Sequence, residues 1–320
     1  MKTTRKNLPL FIFAIALLFN SSCKSKEESI FIPVLTTVDI TDLTSTTAKS
    51  GGVIVSDGGG TITSSGVCWS TKDNPTILDS KTTDIGTGSF VSTITGISNT
   101  KVYYVRAYAT NSSGTGYGNS VATIIVDGSG NIYKSVKIGT QTWLTENLKT
   151  SKYRTGEDIS NQDTSALAWE NATYGACCDY KNIPANREIY GRLYNWYAVN
   201  DSRNIAPKGW HVATDAEWAT LVTYLGGEVY VGKKLKETGT TLWKTNPGEA
   251  NGSGFNARPG GMRILNGDFG FIDKSGFWWT ASENTSTNVW YWSLSTDSQE
   301  SNRAYSSKGY GRSVRCVKDI

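Results

Sequence analysis

The ten residues Gly209-Trp210-His211-Val212-Ala213-Thr214-Asp215-Ala216-Glu217-Trp218 set how the C-terminal half of this chain is read. Thr214-Asp215-Ala216-Glu217 is a capping box. The Thr214 hydroxyl can accept from the Glu217 amide while the Glu217 carboxylate reaches back. Trp218, Leu221, Val222 and Leu225 then fall at i, i+3, i+4 and i+7, an apolar stripe along one helix face, and Gly226-Gly227 stops the helix. A second helix is predicted over residues 192–199, with Leu193, Trp196 and Tyr197 on one side. Residues 276–282, 289–295 and 312–318 turn strand-like. Helices first and strands later predict an α+β unit.

Ten of the eleven tryptophans lie in this half, after Asp127-Gly128-Ser129-Gly130-Asn131, which reads as a linker and turn. The segment before it, 32–126, is rich in Thr, Ser and Gly and has no helical period. Strand-like runs there are broken by Asp57-Gly58-Gly59-Gly60 and by Asn74-Pro75. The best run is 102–110. It places Tyr103, Val105, Ala107 and Ala109 on one face and Val102, Tyr104, Arg106 and Tyr108 on the other. About seven such strands predict an antiparallel sandwich.

The whole chain has 320 residues, enough for two domains. With 38% hydrophobic and 19% charged residues it is neither a disordered chain nor a multi-span membrane protein. The formal charge is +4, of which Lys2, Arg5 and Lys6 supply three, leaving +1 for the rest. That gives no electrostatic footprint for nucleic acid. Lys2, Arg5 and Lys6 form a basic start, and residues 8–19 form an apolar run of twelve. A membrane-spanning helix needs about 20, whereas a secretory signal needs about this length. Ser21-Ser22 then precede Cys23. This resembles a lipobox, so residues 1–22 are expected to be a lipoprotein signal peptide and Cys23 the acylated mature N-terminus. Residues 23–31 are then a tether. Its Glu27-Glu28 pair is similar to a surface-export signal of bacterial lipoproteins. A cell-envelope, outer-membrane location at the cell surface follows, with the membrane as partner through the lipid on Cys23.

Two resemblances refine this. Ile97-Ser98-Asn99-Thr100-Lys101-Val102-Tyr103, with Tyr103-Tyr104-Val105-Arg106-Ala107-Tyr108-Ala109-Thr110-Asn111 and Gly114-Thr115-Gly116-Tyr117-Gly118, resembles a fibronectin type III-like module. Tyr103 is its tyrosine-corner candidate, and Asn99 stands where Pro is usual. The second resemblance covers 127–320. Gln141-Thr142-Trp143-Leu144-Thr145-Glu146-Asn147-Leu148, Tyr190-Gly191-Arg192-Leu193-Tyr194-Asn195-Trp196-Tyr197-Ala198, the opening decapeptide, Gly254-Phe255-Asn256-Ala257-Arg258-Pro259-Gly260-Gly261, Phe277-Trp278-Trp279-Thr280-Ala281-Ser282-Glu283 and Ser313-Val314-Arg315-Cys316-Val317-Lys318-Asp319 follow one another in order. That order resembles the Fibrobacter succinogenes major paralogous domain. Ala206 and Ala213 depart from its pattern, standing where Cys and Pro are usual. The resemblance implies a C-type-lectin-like fold akin to the formylglycine-generating enzyme scaffold, and no settled activity. The expected fold class is therefore multidomain: an all-β fibronectin III-like sandwich over 32–126 and an α+β C-type-lectin-like domain over 127–320.

Candidate chemistry is sparse. His211 is the one histidine, and no Gly-x-Ser-x-Gly elbow accompanies it, so a structural role is expected. Four cysteines follow Cys23. A bridge from Cys316 to Cys177 or Cys178 competes with four reduced thiols. Enzyme activity by analogy with the formylglycine-generating scaffold would need a cysteine pair in the C-terminal strands, and none is there. A calcium ion near Asp268, Asp273, Glu283, Asn284 and Asp297 is the one cofactor left open; the alternative is solvated turns. Trp278, Trp279, Trp290 and Trp292, with Glu283 and Asn284 beside them, could form a sugar-stacking platform or simply build the core. The expectation is a non-catalytic binding or adhesion module for a glycan or protein on a sandwich spacer. An envelope enzyme or a structural coat protein are the alternatives. Clustered exposed Trp beside a groove would favour binding; a pocket gathering His211 with carboxylates would favour an enzyme.

Overall fold

The computed structural model describes residues 29–84, 86, 88–161, 165–239, 241–243 and 251–319. Residues 1–22, expected to be a signal peptide, and Cys23 lie outside the described residues. The fold is multidomain and mostly β-sheet. In the N-terminal part Val34–Thr41, Thr47–Ser56 and Ser89–Thr95 form a three-stranded sheet in the order first, second, third. A second sheet runs Ser80–Lys81, Ser64–Ser70, Tyr104–Asn111, Gly114–Tyr117. All pairings in both sheets are antiparallel. Ala48 and Ile94 from the first sheet meet Val67, Trp69 and Val105 from the second. The alternation expected along 102–110 is present, since Val105, Ala107 and Ala109 are buried while Tyr104 and Arg106 are half-buried. Tyr108 is also covered, because its hydroxyl donates to the Thr82 carbonyl at 2.8 Å.

The predicted linker is an ordered turn. Ile125–Val126 pairs antiparallel with Ile132–Tyr133 across it. Asp127, buried, accepts from the amides of Ser129 and Asn131 and from the Tyr133 hydroxyl at 2.6 Å. Tyr133 sits in the core of the C-terminal part, and Ile125 packs against that core. The hairpin therefore straddles the 126/127 boundary. Two ion pairs, Lys208 with Asp73 and Lys318 with Asp39, also join the two parts.

In the C-terminal part a four-stranded sheet runs Ser135–Ile138, Gln141–Leu144, Cys316–Lys318, Trp210–Val212. It pairs Gln141–Leu144, from the opening hairpin of this part, with its last strand, Cys316–Lys318. A five-stranded sheet runs Phe269–Ile272, Gly260–Arg263, Ser275–Glu283, Asn288–Ser295, Ser301–Ser307. The capped helix is Asp215–Tyr224, and its capping box is complete. Trp218, Leu221, Val222 and Leu225 are all buried, as the stripe predicts. Trp218 packs edge-on against Trp143 and Phe255 at 5.1 and 5.5 Å and lies parallel to Trp292 at 6.3 Å.

The helix predicted over 192–199 is instead a short strand, Leu193–Tyr194, and a single turn, Trp196–Val199. Asn195 divides them. It stays extended and its side chain caps the turn by accepting from the Ala198 amide, which a continuous helix would forbid.

Arg315 is fully buried. Its guanidinium donates to Asn147 Oδ1 and to the carbonyls of Leu144, Phe255 and Asn256, each at 2.7 Å. Asn147 also accepts from the Trp278 indole at 2.8 Å and donates to the Tyr190 carbonyl at 2.7 Å.

Trp218→Ala removes the ring on which four others converge, and is expected to cost about 3–5 kcal/mol of stability. Thr214→Ala, which removes a cap, is expected to cost about 0.5–2 kcal/mol. Denaturant midpoints of the two variants, compared at one pH, check the order; equal losses would mean the stripe is not the buried element.

Candidate functional site

Three of the four candidate tryptophans are not available to a ligand. Trp278 and Trp279 are adjacent yet both completely buried, because the strand Ser275–Glu283 is covered on both faces. Trp278 enters the Trp143–Trp218 cluster and Trp279 the Tyr194–Trp196 cluster. The Trp279 indole donates to the Tyr194 carbonyl at 2.8 Å. Trp292 is buried against the capped helix, and its indole donates to Asp215 at 3.1 Å. Trp290 alone of the four reaches the surface layer, but the Arg303 guanidinium covers its ring at 3.6 Å. Asp215 holds that guanidinium through two bonds of 2.9 and 2.6 Å. The expected platform is thus core, apart from one ring whose face is occupied. Glu283 pairs with Lys308 at 2.7 Å, and the Asn284 amide closes a turn onto the Asn288 carbonyl.

The calcium candidates are also dispersed. Asp273 accepts from the Tyr190 hydroxyl, and Asp268 accepts from the Asn266 side-chain amide. Among the described residues no group of three or more His, Cys, Asp or Glu is placed to hold a metal ion. No helix among them is long and apolar enough to cross a membrane.

Among the described residues Cys68, Cys177, Cys178 and Cys316 are all buried and form no disulfide, so of the two readings left open the bridge from Cys316 to Cys177 or Cys178 is not the one seen. Cys177 and Cys178 are neighbours on the strand Ala176–Cys178, so their side chains face opposite layers. Cys177 lies in one core cluster with Cys316, while Cys178 lies in another with Trp169 and Tyr180. Burial pushes the Cys316 thiol far up, and the Cys68 thiol up to about 11. Such thiols are poor nucleophiles.

His211 does gather carboxylates. Its Nε2 meets Glu217 at 2.8 Å and its Nδ1 meets Asp319 at 2.7 Å. The strand Trp210–Val212 pairs with Cys316–Lys318, which brings Asp319 alongside, and the capping box delivers Glu217. The bond to Glu217 foremost, and then that to Asp319, overcome burial and raise the His211 pKa to about 9. At neutral pH the ring is an imidazolium with both nitrogens engaged. It has no lone pair to act as a base.

One open cleft, of about 340 Å³, lies elsewhere. Its lining includes Tyr153, Tyr174, Tyr197, Asp158, Asp201 and Arg203. Arg203 stacks on the Tyr153 ring at 3.9 Å and holds Asp201 through bonds of 2.9 and 2.7 Å. The Arg203 pairing keeps the Asp201 carboxyl down at about 2, despite burial acting the other way. Burial foremost, with Asp201 adding to it, pushes the Tyr153 phenol up to about 12, so the buried hydroxyl stays protonated. Asn195 organises the opposite wall. Its Nδ2 donates to the Tyr174 carbonyl at 2.8 Å, while its Oδ1 accepts from the Ala176 amide at 2.9 Å. Sequence reading missed this cleft. Tyr153, Tyr174 and Tyr197 share no period, and the one legible signal was Asn195, an N-cap residue read as helix interior.

Two outcomes are expected. His211 stabilises the fold fully below its unfolded pKa of about 6.5, and this contribution is lost as pH rises through about 9. The stability gap between wild type and His211→Gln should be about 1–2 kcal/mol at pH 6 and should close by pH 10. Denaturation of both proteins across that range checks it. Separately, a thiol reagent should label none of Cys68, Cys177, Cys178 and Cys316 in the folded protein and all four once it is denatured without reductant. A pair that stays unlabelled after denaturation would reveal a disulfide.

No curated protein matches the chain at a significant level. The sequence model of the Fibrobacter succinogenes major domain matches residues 136–318, the part that holds the cleft, the capped helix and the Arg315 network. The chain belongs to the Fibrobacter succinogenes major domain family.

Proposed function

We propose that this chain is a cell-envelope lipoprotein, held at the outer surface by acylated Cys23, that presents a non-catalytic ligand-binding domain on a sandwich spacer. The observation that carries it is the cleft: Tyr174 and Tyr197, two carboxylates and a guanidinium line it in front of the buried Tyr153, on a rigid frame. The strand orders of the two N-terminal sheets support a fibronectin type III-like spacer. The pairing of the strand Gln141–Leu144, from the opening hairpin of the C-terminal part, with its last strand Cys316–Lys318 supports the C-type-lectin-like reading. The locked imidazolium of His211 and the high pKa of Cys316 weigh against the enzyme alternative.

The full chain, displayed on cells and probed with arrays of glycans and envelope proteins, is expected to bind at least one ligand without turning it over. Tyr174→Ala should remove that binding. Replacing Cys23 with Ser should abolish labelling by palmitate and release the chain from membranes. A ligand converted to product, or an anchored Cys23→Ser protein, would overturn the corresponding half of the proposal.

A further inference from the structure

We infer that the Tyr153–Tyr174–Tyr197 cleft takes a neutral saccharide, without a metal ion; this rests on the cleft being the binding site proposed above. Size comes first. A cleft of about 340 Å³ lies at the low end of small-molecule sites, which run from about 300 to 1,000 Å³. It suits one or two sugar rings and is too small to engulf a folded partner's surface.

Charge comes second. The ionised groups of the cleft are already matched within the protein. Asp201 is held by Arg203, and Asp158 lies 3.1 Å from Lys152. An anionic ligand would meet two carboxylates, and a cationic one would compete with Arg203 and Lys152 for them. A neutral ligand with many hydroxyls faces neither cost. Paired hydroxyls on adjacent carbons match the planar, two-pronged geometry of a carboxylate or guanidinium edge. Ser160 and Thr173 add hydroxyls to the lining.

Shape and rigidity come third. Tyr174 is about half exposed, at 52%, and offers a ring to the apolar C–H face of a sugar. The elements behind it are fixed. Asn195 ties the Tyr174 backbone to the strand Ala176–Cys178 and to the turn that carries Tyr197. The Arg203 guanidinium stacks on the Tyr153 ring from the other side. Gly175 completes the fit. A Cβ there would come within 2.1 Å of the Tyr153 hydroxyl and 3.0 Å of the Ala198 Cα. The absence of a side chain at 175 leaves room for the buried Tyr153 phenol behind the cleft wall. A site held in this way loses little freedom on binding.

The test uses the full chain, purified from membranes in a detergent without a sugar headgroup. It is titrated with glucose, galactose, mannose, N-acetylglucosamine and their disaccharides by calorimetry and by saturation-transfer NMR. At least one should bind at a single site, with an affinity unchanged by EDTA. Tyr174→Ala, a surface change that should not disturb folding, is expected to weaken it about tenfold or more. Gly175→Ser should abolish it, with near-ultraviolet circular dichroism confirming that the variant is folded. Binding that EDTA removes, or that Tyr174→Ala leaves intact, would overturn the inference. So would a stronger response to glucuronate or to glucosamine than to any neutral sugar. If none of these sugars binds but a protein ligand is lost in Tyr174→Ala, the saccharide inference fails and the binding function stands. If Tyr174→Ala changes no interaction of any kind, both fail.

Discussion

One of several buried cations, Arg315, ties the motifs of the C-terminal part together. Arg315 carries a full charge into a site from which water is excluded, and all four of its hydrogen bonds end on uncharged oxygens. A bare charge there would be prohibitive. The guanidinium tolerates it because its rigid fork can address several carbonyl dipoles at once, whereas an ammonium could not. The Phe255 ring lies over it at 4.3 Å and adds a cation–π contact. The carbonyls come from the strand Gln141–Leu144 and from the 255–256 segment, so segments more than a hundred residues apart must arrive together. Asn147 extends the network to Trp278 and Tyr190. Five of the six family motifs contribute to one connected set of satisfied polar groups, and failure of one partner leaves the others buried and unpaired.

The same economy recurs around the tryptophans. Indole N–H groups in this core find carbonyl or carboxylate partners: Trp196 on Thr280, Trp243 on Ala257, Trp279 on Tyr194, Trp292 on Asp215. Those bonds satisfy the donors of four large buried rings, whereas the indole N–H of Trp218, at the centre of the cluster, is buried without a partner. Asp215 shows how layers are joined. It opens the capped helix, accepts from Trp292 in the core and holds Arg303 over Trp290 at the surface. Surface and core are thus coupled by one carboxylate at a helix N-terminus, where negative charge is favoured. Glu217 does similar double service, closing the capping box through Thr214 while neutralising His211.

The two halves of the chain are not simply strung together. The Ile125–Val126 strand belongs by sequence to the first and by pairing to the second. Between them runs a groove of about 510 Å³ lined in part by Ile40, Leu43, Tyr104, Ile124 and Trp210. The lysine–aspartate pairs from Lys208 and Lys318 border it. Exposed ion pairs of this kind contribute little individually. They orient more than they hold, and the hairpin built on Asp127 supplies the covalent and hydrogen-bonded connection.

Local pattern was enough where neighbours in sequence act on each other. The capping box, the Trp218 stripe, the alternation along 102–110 and the ordered motifs of the family were all legible from residues within one or two turns of one another. The sequence alone also determined that two composition regimes exist and that tryptophan mass lies in the second. It could not decide which aromatic faces a ligand. Strand alternation predicts two faces but not how many are covered, and the strand holding Trp278 and Trp279 is covered on both. Nor could it place the cleft, because Tyr153, Tyr174 and Arg203 meet only after Asn195 interrupts an apparent helix and folds three loops together. The environment of His211 was likewise hidden: Asp319 lies 108 residues away and arrives through strand pairing. Short-range hydrogen bonds are written in sequence spacing; burial, charge pairing and the making of a cleft are decided by which distant segments share a layer.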